Sequence, residues 1–124
     1  MIKIVDNDIY CTRGDAGTIN IKATNDDGTQ YTFTAGTTIR FNVVNAEDTA
    51  TRIFSKEVTI DEDTQQVEIS LTTNDTTIGG YINKKVEYWY EVEINPDNNG
   101  YTIIGYDEYG AKKFILVPEG ARDE

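Results

Sequence analysis

The chain predicts an all-β fold: a two-sheet sandwich of eight or nine strands, built as one domain over residues 1–118 with a polar tail at 119–124. Three observations carry this. Apolar residues recur with period two in run after run. Gly, Asn and Asp clusters break those runs at short intervals. Helical periodicity never lasts beyond two turns, so the long crossovers that parallel βαβ units need are missing.

Taken in order, residues 18–23 place Ile19, Ile21 and Ala23 on one face and polar neighbours on the other. Asn25-Asp26-Asp27-Gly28 follows, where Gly accepts positive φ and Asx side chains bond their own backbone. Tyr31-Thr32-Phe33 alternates again, which predicts a hairpin. After the Ala35-Gly36 turn, residues 38–44 send Ile39, Phe41 and Val43 inward and Arg40 and Asn42 toward water. A polar stretch, 45–51, leads to a strand over 52–60. Asp61-Glu62-Asp63 then turns the chain into 65–71, whose inward set is Val67, Ile69 and Leu71.

Residues 72–80 break the alternation. Thr73 suits a helix N-cap, Asp75 suits the positive end of a helix dipole, and Gly79-Gly80 suits a stop. A short helical turn near 73–78 is the expected crossover between the sheets. The clearest strand runs from 84 to 94, with Val86, Tyr88, Tyr90, Val92 and Ile94 on one face and Glu87, Trp89, Glu91 and Glu93 on the other. Asn95-Pro96-Asp97-Asn98-Asn99-Gly100 ends it, because Pro cannot continue a ladder. Residues 101–106 and 112–117, joined by a turn at Glu108-Tyr109-Gly110, predict a C-terminal hairpin.

Composition narrows the function. Eleven basic residues against 22 acidic ones, with no His, give a net charge of −11. Such a surface repels phosphate backbones and anionic lipid headgroups, so neither nucleic acid nor membrane is an expected partner. No apolar stretch suits a secretory signal or a membrane span, which predicts synthesis in a cytosol. Cys11 stands alone, without a disulfide partner or a His to activate it, and reads as a small core residue.

Each short motif has a plainer reading beside it. Arg13-Gly14-Asp15 spells an adhesion tripeptide, but Gly-Asp is a common turn. Asn95 to Gly100 opens like an EF-hand loop, yet the twelfth position is Tyr106 where a bidentate Glu is required. Asp61-Glu62-Asp63 and Asn25-Asp26-Asp27 have the composition of solvated turns, so no metal and no cofactor is expected. Asn74-Asp75-Thr76 is formally a glycosylation sequon. No nucleophile elbow or phosphate-cradling loop is present, and no catalytic residue is nominated.

Trp89 is the most informative side chain, because it lies on the charged side of the strongest strand, opposite the aliphatic stripe. It is predicted either to pack beneath the C-terminal hairpin on Ile104 or Tyr106, or to anchor a protein interface. Trp89, Tyr106 and Tyr109 form the candidate interface.

Three stretches together carry a family resemblance: Ile9 to Gly17 followed by Asn25-Asp26-Asp27-Gly28; Phe33 to Val43 with Lys56-Glu57; and Leu71 to Thr76 with Tyr88-Trp89-Tyr90-Glu91-Val92-Glu93-Ile94. In this order they resemble the N-terminal domain of phage baseplate upper proteins, akin to Ig-like domains of tail proteins from phages and prophages of Gram-positive bacteria. The resemblance spans residues 9 to 118. It implies an Ig-like sandwich and a non-enzymatic adaptor of a tail or baseplate that bridges other tail proteins or further copies of itself. Its place would be the virion, after synthesis in the bacterial cytoplasm. The alternative is an Ig-like module that binds a carbohydrate or host-surface ligand, with Trp89 stacking on the sugar.

Overall fold

A computed structural model describes residues 1–120, and its first element is a hairpin outside the segments that periodicity marks. Strands β1 (Ile2–Val5) and β2 (Asp8–Thr12) pair antiparallel around Asp6 and Asn7, both at positive φ (51° and 71°). That is the backbone of a two-residue hairpin turn, and short Asx side chains tolerate it. Seven more strands follow: β3 (Gly17–Ile21), β4 (Thr38–Asn45), β5 (Arg52–Thr59), β6 (Val67–Leu71), β7 (Val86–Ile94), β8 (Tyr101–Ile104) and β9 (Lys112–Val117). The helical turn α1 (Thr73–Thr76) lies between β6 and β7. The fold is an all-β sandwich, with one sheet in the order β1-β2-β9-β7-β4-β5, β8 joined to β7, and a second sheet of β3 and β6.

The core lies between the sheets. Ile39, Phe41 and Val43 of β4, Val92 and Ile94 of β7, and Phe114 and Leu116 of β9 meet Ile19 and Ile21 of β3 and Val67, Ile69 and Leu71 of β6, all buried. Phe41 stands at the centre, its ring centroid 5.5 Å from Tyr90, 6.2 Å from Phe54 and 6.4 Å from Phe114. Each fully buried aliphatic or aromatic side chain contributes about 1.5–3 kcal/mol. The period-two pattern therefore marks the inward faces correctly, while burial also reaches outward-facing positions at Val44, Ile115 and, most completely, Asn42. It is 2% exposed, because β4 is an interior strand and the Glu91 and Glu93 side chains of β7 close over it. Arg40, one repeat away, stays near the surface and pairs with Glu57 and Asp97.

Two expected hairpins are rearranged. The 25–28 turn forms, but Tyr31-Thr32-Phe33 is no strand: a single bridge joins Thr24 to Gln30, and Phe33 bridges to Thr64 instead. The Phe33 ring lies in the core and is fully buried. At the C-terminal end, β8 and β9 do not pair with each other. Both run antiparallel to β7, β8 beside Val92 to Ile94 and β9 beside Val86 to Tyr90. They form one interrupted partner strand from which residues 105–111 loop out. Beyond it β9 pairs in parallel with β2.

The helical turn stands where the pattern places it, with its cap one residue earlier. Thr72, not Thr73, is the N-cap: its hydroxyl accepts from the Asp75 amide, and the Asp75 carboxylate accepts from the Thr72 amide. This reciprocal pair is a capping box. At the other end of the chain Glu119 is tied down by Arg13 at 2.7 Å. The remainder of the expected tail, 121–124, lies outside the described residues.

Candidate functional site

Trp89 lies on the outer face of β7, flanked by Val44 on β4 and Lys113 on β9. The alternation that sends Tyr90 and Val92 inward sends Trp89 and Glu91 outward. The Trp89 ring is partly covered by Tyr106, at a centroid distance of 5.8 Å and an angle of 45°. Packing beneath a neighbouring segment is thus what the structure shows for Trp89, with the 105–111 loop as that segment. Tyr106 remains 74% exposed and Tyr109, at the loop's tip, 87% exposed.

The loop is pinned internally. Asp107 and Gly110 exchange backbone hydrogen bonds of 3.2 and 2.9 Å, and the Asp107 carboxylate accepts from the Tyr109 amide at 2.8 Å. Gly110 sits at φ 96°, where a side chain would be strained. Lys112 pairs with Asp107 at 2.9 Å. The Lys112 ammonium, helped by the Tyr109 amide, holds the Asp107 carboxyl below the usual carboxylate range. Two tyrosines are therefore presented on a fixed frame, so little ordering cost remains on contact.

Between this loop and the 46–51 loop opens a cleft of about 330 Å³, lined by Val44, Thr49, Trp89, Glu91, Tyr106 and Lys112. The 46–51 loop is fixed as well: Asn45 Oδ1 accepts from the Glu47 amide at 2.8 Å, and the Asp48 carboxylate accepts from the Ala50 amide and the Thr51 hydroxyl. The Asn42 amide donates to the Glu91 carboxylate at 3.3 Å and also to Glu93. The structure brings Trp89 and Tyr106 together and leaves Tyr109 at the rim. Sequence reading missed Thr49, Glu91 and Lys112. Glu91 was legible as the second outward residue from Trp89, whereas Thr49 and Lys112 arrive through loop geometry that periodicity does not encode.

Other motifs resolve into structural roles. Arg13 of the Arg-Gly-Asp triplet is buried, with its guanidinium bonded to the Ile78 and Gly79 carbonyls and to Glu119. Gly14 has φ 86°, and the Asp15 amide closes a turn onto the Thr12 carbonyl. In the acidic turns, Asp27 accepts from the Thr29 amide and hydroxyl, and Asp63 accepts from the Ala35 amide. These carboxylates cap backbone. Comparison of the chain with protein-family models, with curated proteins and with solved structures finds no match in any of the three.

Proposed function

We propose that this protein is a non-enzymatic structural adaptor of a phage or prophage tail or baseplate, docking on neighbouring tail proteins through the Trp89–Tyr106–Tyr109 surface. One observation carries the docking half of this reading. Two tyrosines at 74% and 87% exposure are held on a hydrogen-bonded loop beside a half-buried Trp, and aromatic anchors on rigid frames dominate binding energy at protein interfaces. The phage half rests on the resemblance of residues 9 to 118 to baseplate upper proteins.

The Ig-like class belongs to the same proposal, and strand order supports it. If β3, β4, β5, β6, β7 and β9 are taken as strands B, C, C′, E, F and G, then B pairs with E in one sheet, and C′, C, F and G adjoin in the other. The inter-sheet disulfide of antibody domains has no counterpart, since Cys11 is the only cysteine.

The test uses the full chain, co-expressed with the tail proteins of its own genome and separated by gel filtration. Wild type is expected to retain a tail protein, and the Tyr106→Ala/Tyr109→Ala double variant to release it while keeping its thermal midpoint, because neither ring is in the core. A wild-type chain that retains no tail protein would end this reading.

A further inference from the structure

We infer that Asn99, in the turn between β7 and β8, is a site of covalent self-modification, where the side-chain amide converts spontaneously to a carboxylate as aspartate or isoaspartate. The site lies apart from the docking surface and uses none of its residues.

Of the ten asparagines, Asn99 alone precedes a glycine. The reaction begins when the backbone nitrogen of the following residue attacks the asparagine Cγ. A side chain on that residue obstructs the approach, and glycine leaves it open and allows the widest range of backbone angles. Here the Gly100 nitrogen loses its proton and bonds to Asn99 Cγ, closing a five-membered imide. The Cγ–Nδ2 bond breaks, and Nδ2 leaves as ammonia. Water then opens the imide. Attack at Cγ gives aspartate, and attack at the backbone carbonyl gives isoaspartate, whose main chain runs through Cβ and Cγ.

The turn leaves both reacting groups accessible. Asn99 and Gly100 are exposed, and among the described residues the Gly100 amide has no hydrogen-bond partner. Asn99 itself is held at φ 54°, so ring closure requires the turn to open locally. Little opposes that opening, because the Asn98 amide to Asn95 carbonyl bond, 3.0 Å, is the backbone bond that closes the turn. The Asp27–Gly28 pair shows the contrasting arrangement. There the Gly28 amide donates to the Asn25 carbonyl at 2.9 Å, and the Asp27 carboxylate accepts from the Thr29 amide and hydroxyl.

Isoaspartate does not fit where Asn99 does. It lengthens the main chain by one atom immediately before Gly100, and Gly100 packs so tightly that even a Cβ there would collide with the Ile94 and Asn95 carbonyl groups. The next residue, Tyr101, pairs with Ile94 in the β7–β8 ladder, and its hydroxyl lies 2.7 Å from that of Tyr31. Both contacts loosen when the turn lengthens. Either product also places a new carboxylate two residues from Asp97, which pairs with Arg40 at 3.0 Å.

The intact protein is aged in neutral and in mildly alkaline buffer, digested, and mapped by tandem mass spectrometry, with isoaspartate identified against synthetic peptides. Asn99 is expected to convert at least about tenfold faster than any other asparagine, and faster in alkali because the attacking nitrogen must shed its proton. Asn99→Gln, which would need a six-membered ring, should abolish the fast conversion. An Asn99 amide that persists, another asparagine that converts as fast, or a rate indifferent to pH overturns the proposal. Freshly made Asn99→Asp, with the charge but an ordinary main chain, separates the two consequences. It should unfold near the wild-type midpoint, and the aged isoaspartyl protein a few degrees lower. Coincident midpoints for these two would overturn the claim that the turn rejects isoaspartate.

Discussion

Cys11 shows how strongly placement sets chemistry at the scale of one residue. Its side chain is fully buried in β2 opposite Ile2, and burial, only partly offset by the nearby N-terminal ammonium, pushes the thiol up to about 11. The thiolate is the reactive form, so the native protein holds almost none of it at pH 8. A colorimetric thiol reagent at that pH is expected to label Cys11 only as fast as the protein opens, and to titrate one full equivalent in denaturant. Stoichiometric labelling within seconds under native conditions would contradict this placement. The sequence made the core reading of Cys11 available, since it alternates with Ile9. The same reasoning fails at Asn42, where the period-two pattern says "outward" and the answer is 2% exposure. Alternation tells which face a side chain is on, and only the neighbouring strand tells whether that face is covered.

Among the elements, α1 is the smallest and depends most on its ends, because a single helical turn costs nucleation entropy that few internal bonds repay. Burial alone would raise the Asp75 pKa, but the Thr72 amide and hydroxyl and the Lys56 ammonium, 3.0 Å away, outweigh it and leave the carboxyl below its ordinary 3.8. A depressed folded pKa stabilises above the unfolded value, and the contribution is lost as pH falls through the folded one. Asp75→Ala is accordingly expected to cost about 1 kcal/mol at neutral pH. In urea titrations the gap between variant and wild type should shrink as pH drops below 3.8; a gap that stays constant into acid would assign the effect to packing and not to the charge. The existence of this turn was legible from Thr72 to Gly80, and its N-cap was displaced by one residue because Thr72 and Thr73 have the same chemistry. For the C-terminal segment, both strands and the intervening turn were legible, and their partner was not. β8 and β9 each satisfy their backbone on β7, a choice made by tertiary register that local alternation does not encode.

Across the whole molecule the order of strands in space departs furthest from their order along the chain. β9 comes last yet lies inside the large sheet, between β7 and β2, while β1 comes first and remains at an edge. Turn chemistry and face periodicity, both local, located most of the strands; the parallel β2–β9 pairing joins residues about a hundred positions apart and left no local trace. Spatial order therefore predicts opposite fates for losing the two ends. Removing residues 1–5 deletes one edge strand and the partial burial of Ile2, a loss of roughly 1–3 kcal/mol, and leaves β2 as the new edge. Ending the chain at Ala111 removes Phe114 and Leu116 from the core and strips two strands of their shared partner. Large-to-small changes at such positions cost about 2–5 kcal/mol each, so deletion of both together with the ladder causes a loss on the order of the whole stability of an ordinary domain, about 5–15 kcal/mol. Trp89 fluorescence in urea should show a cooperative transition at a lower midpoint for the chain lacking 1–5, and no cooperative transition for the chain ending at Ala111. Cooperative unfolding of the latter would mean that β7 and β2 close the sheet without β9, and the interior position of that strand would then not be what holds the sandwich together.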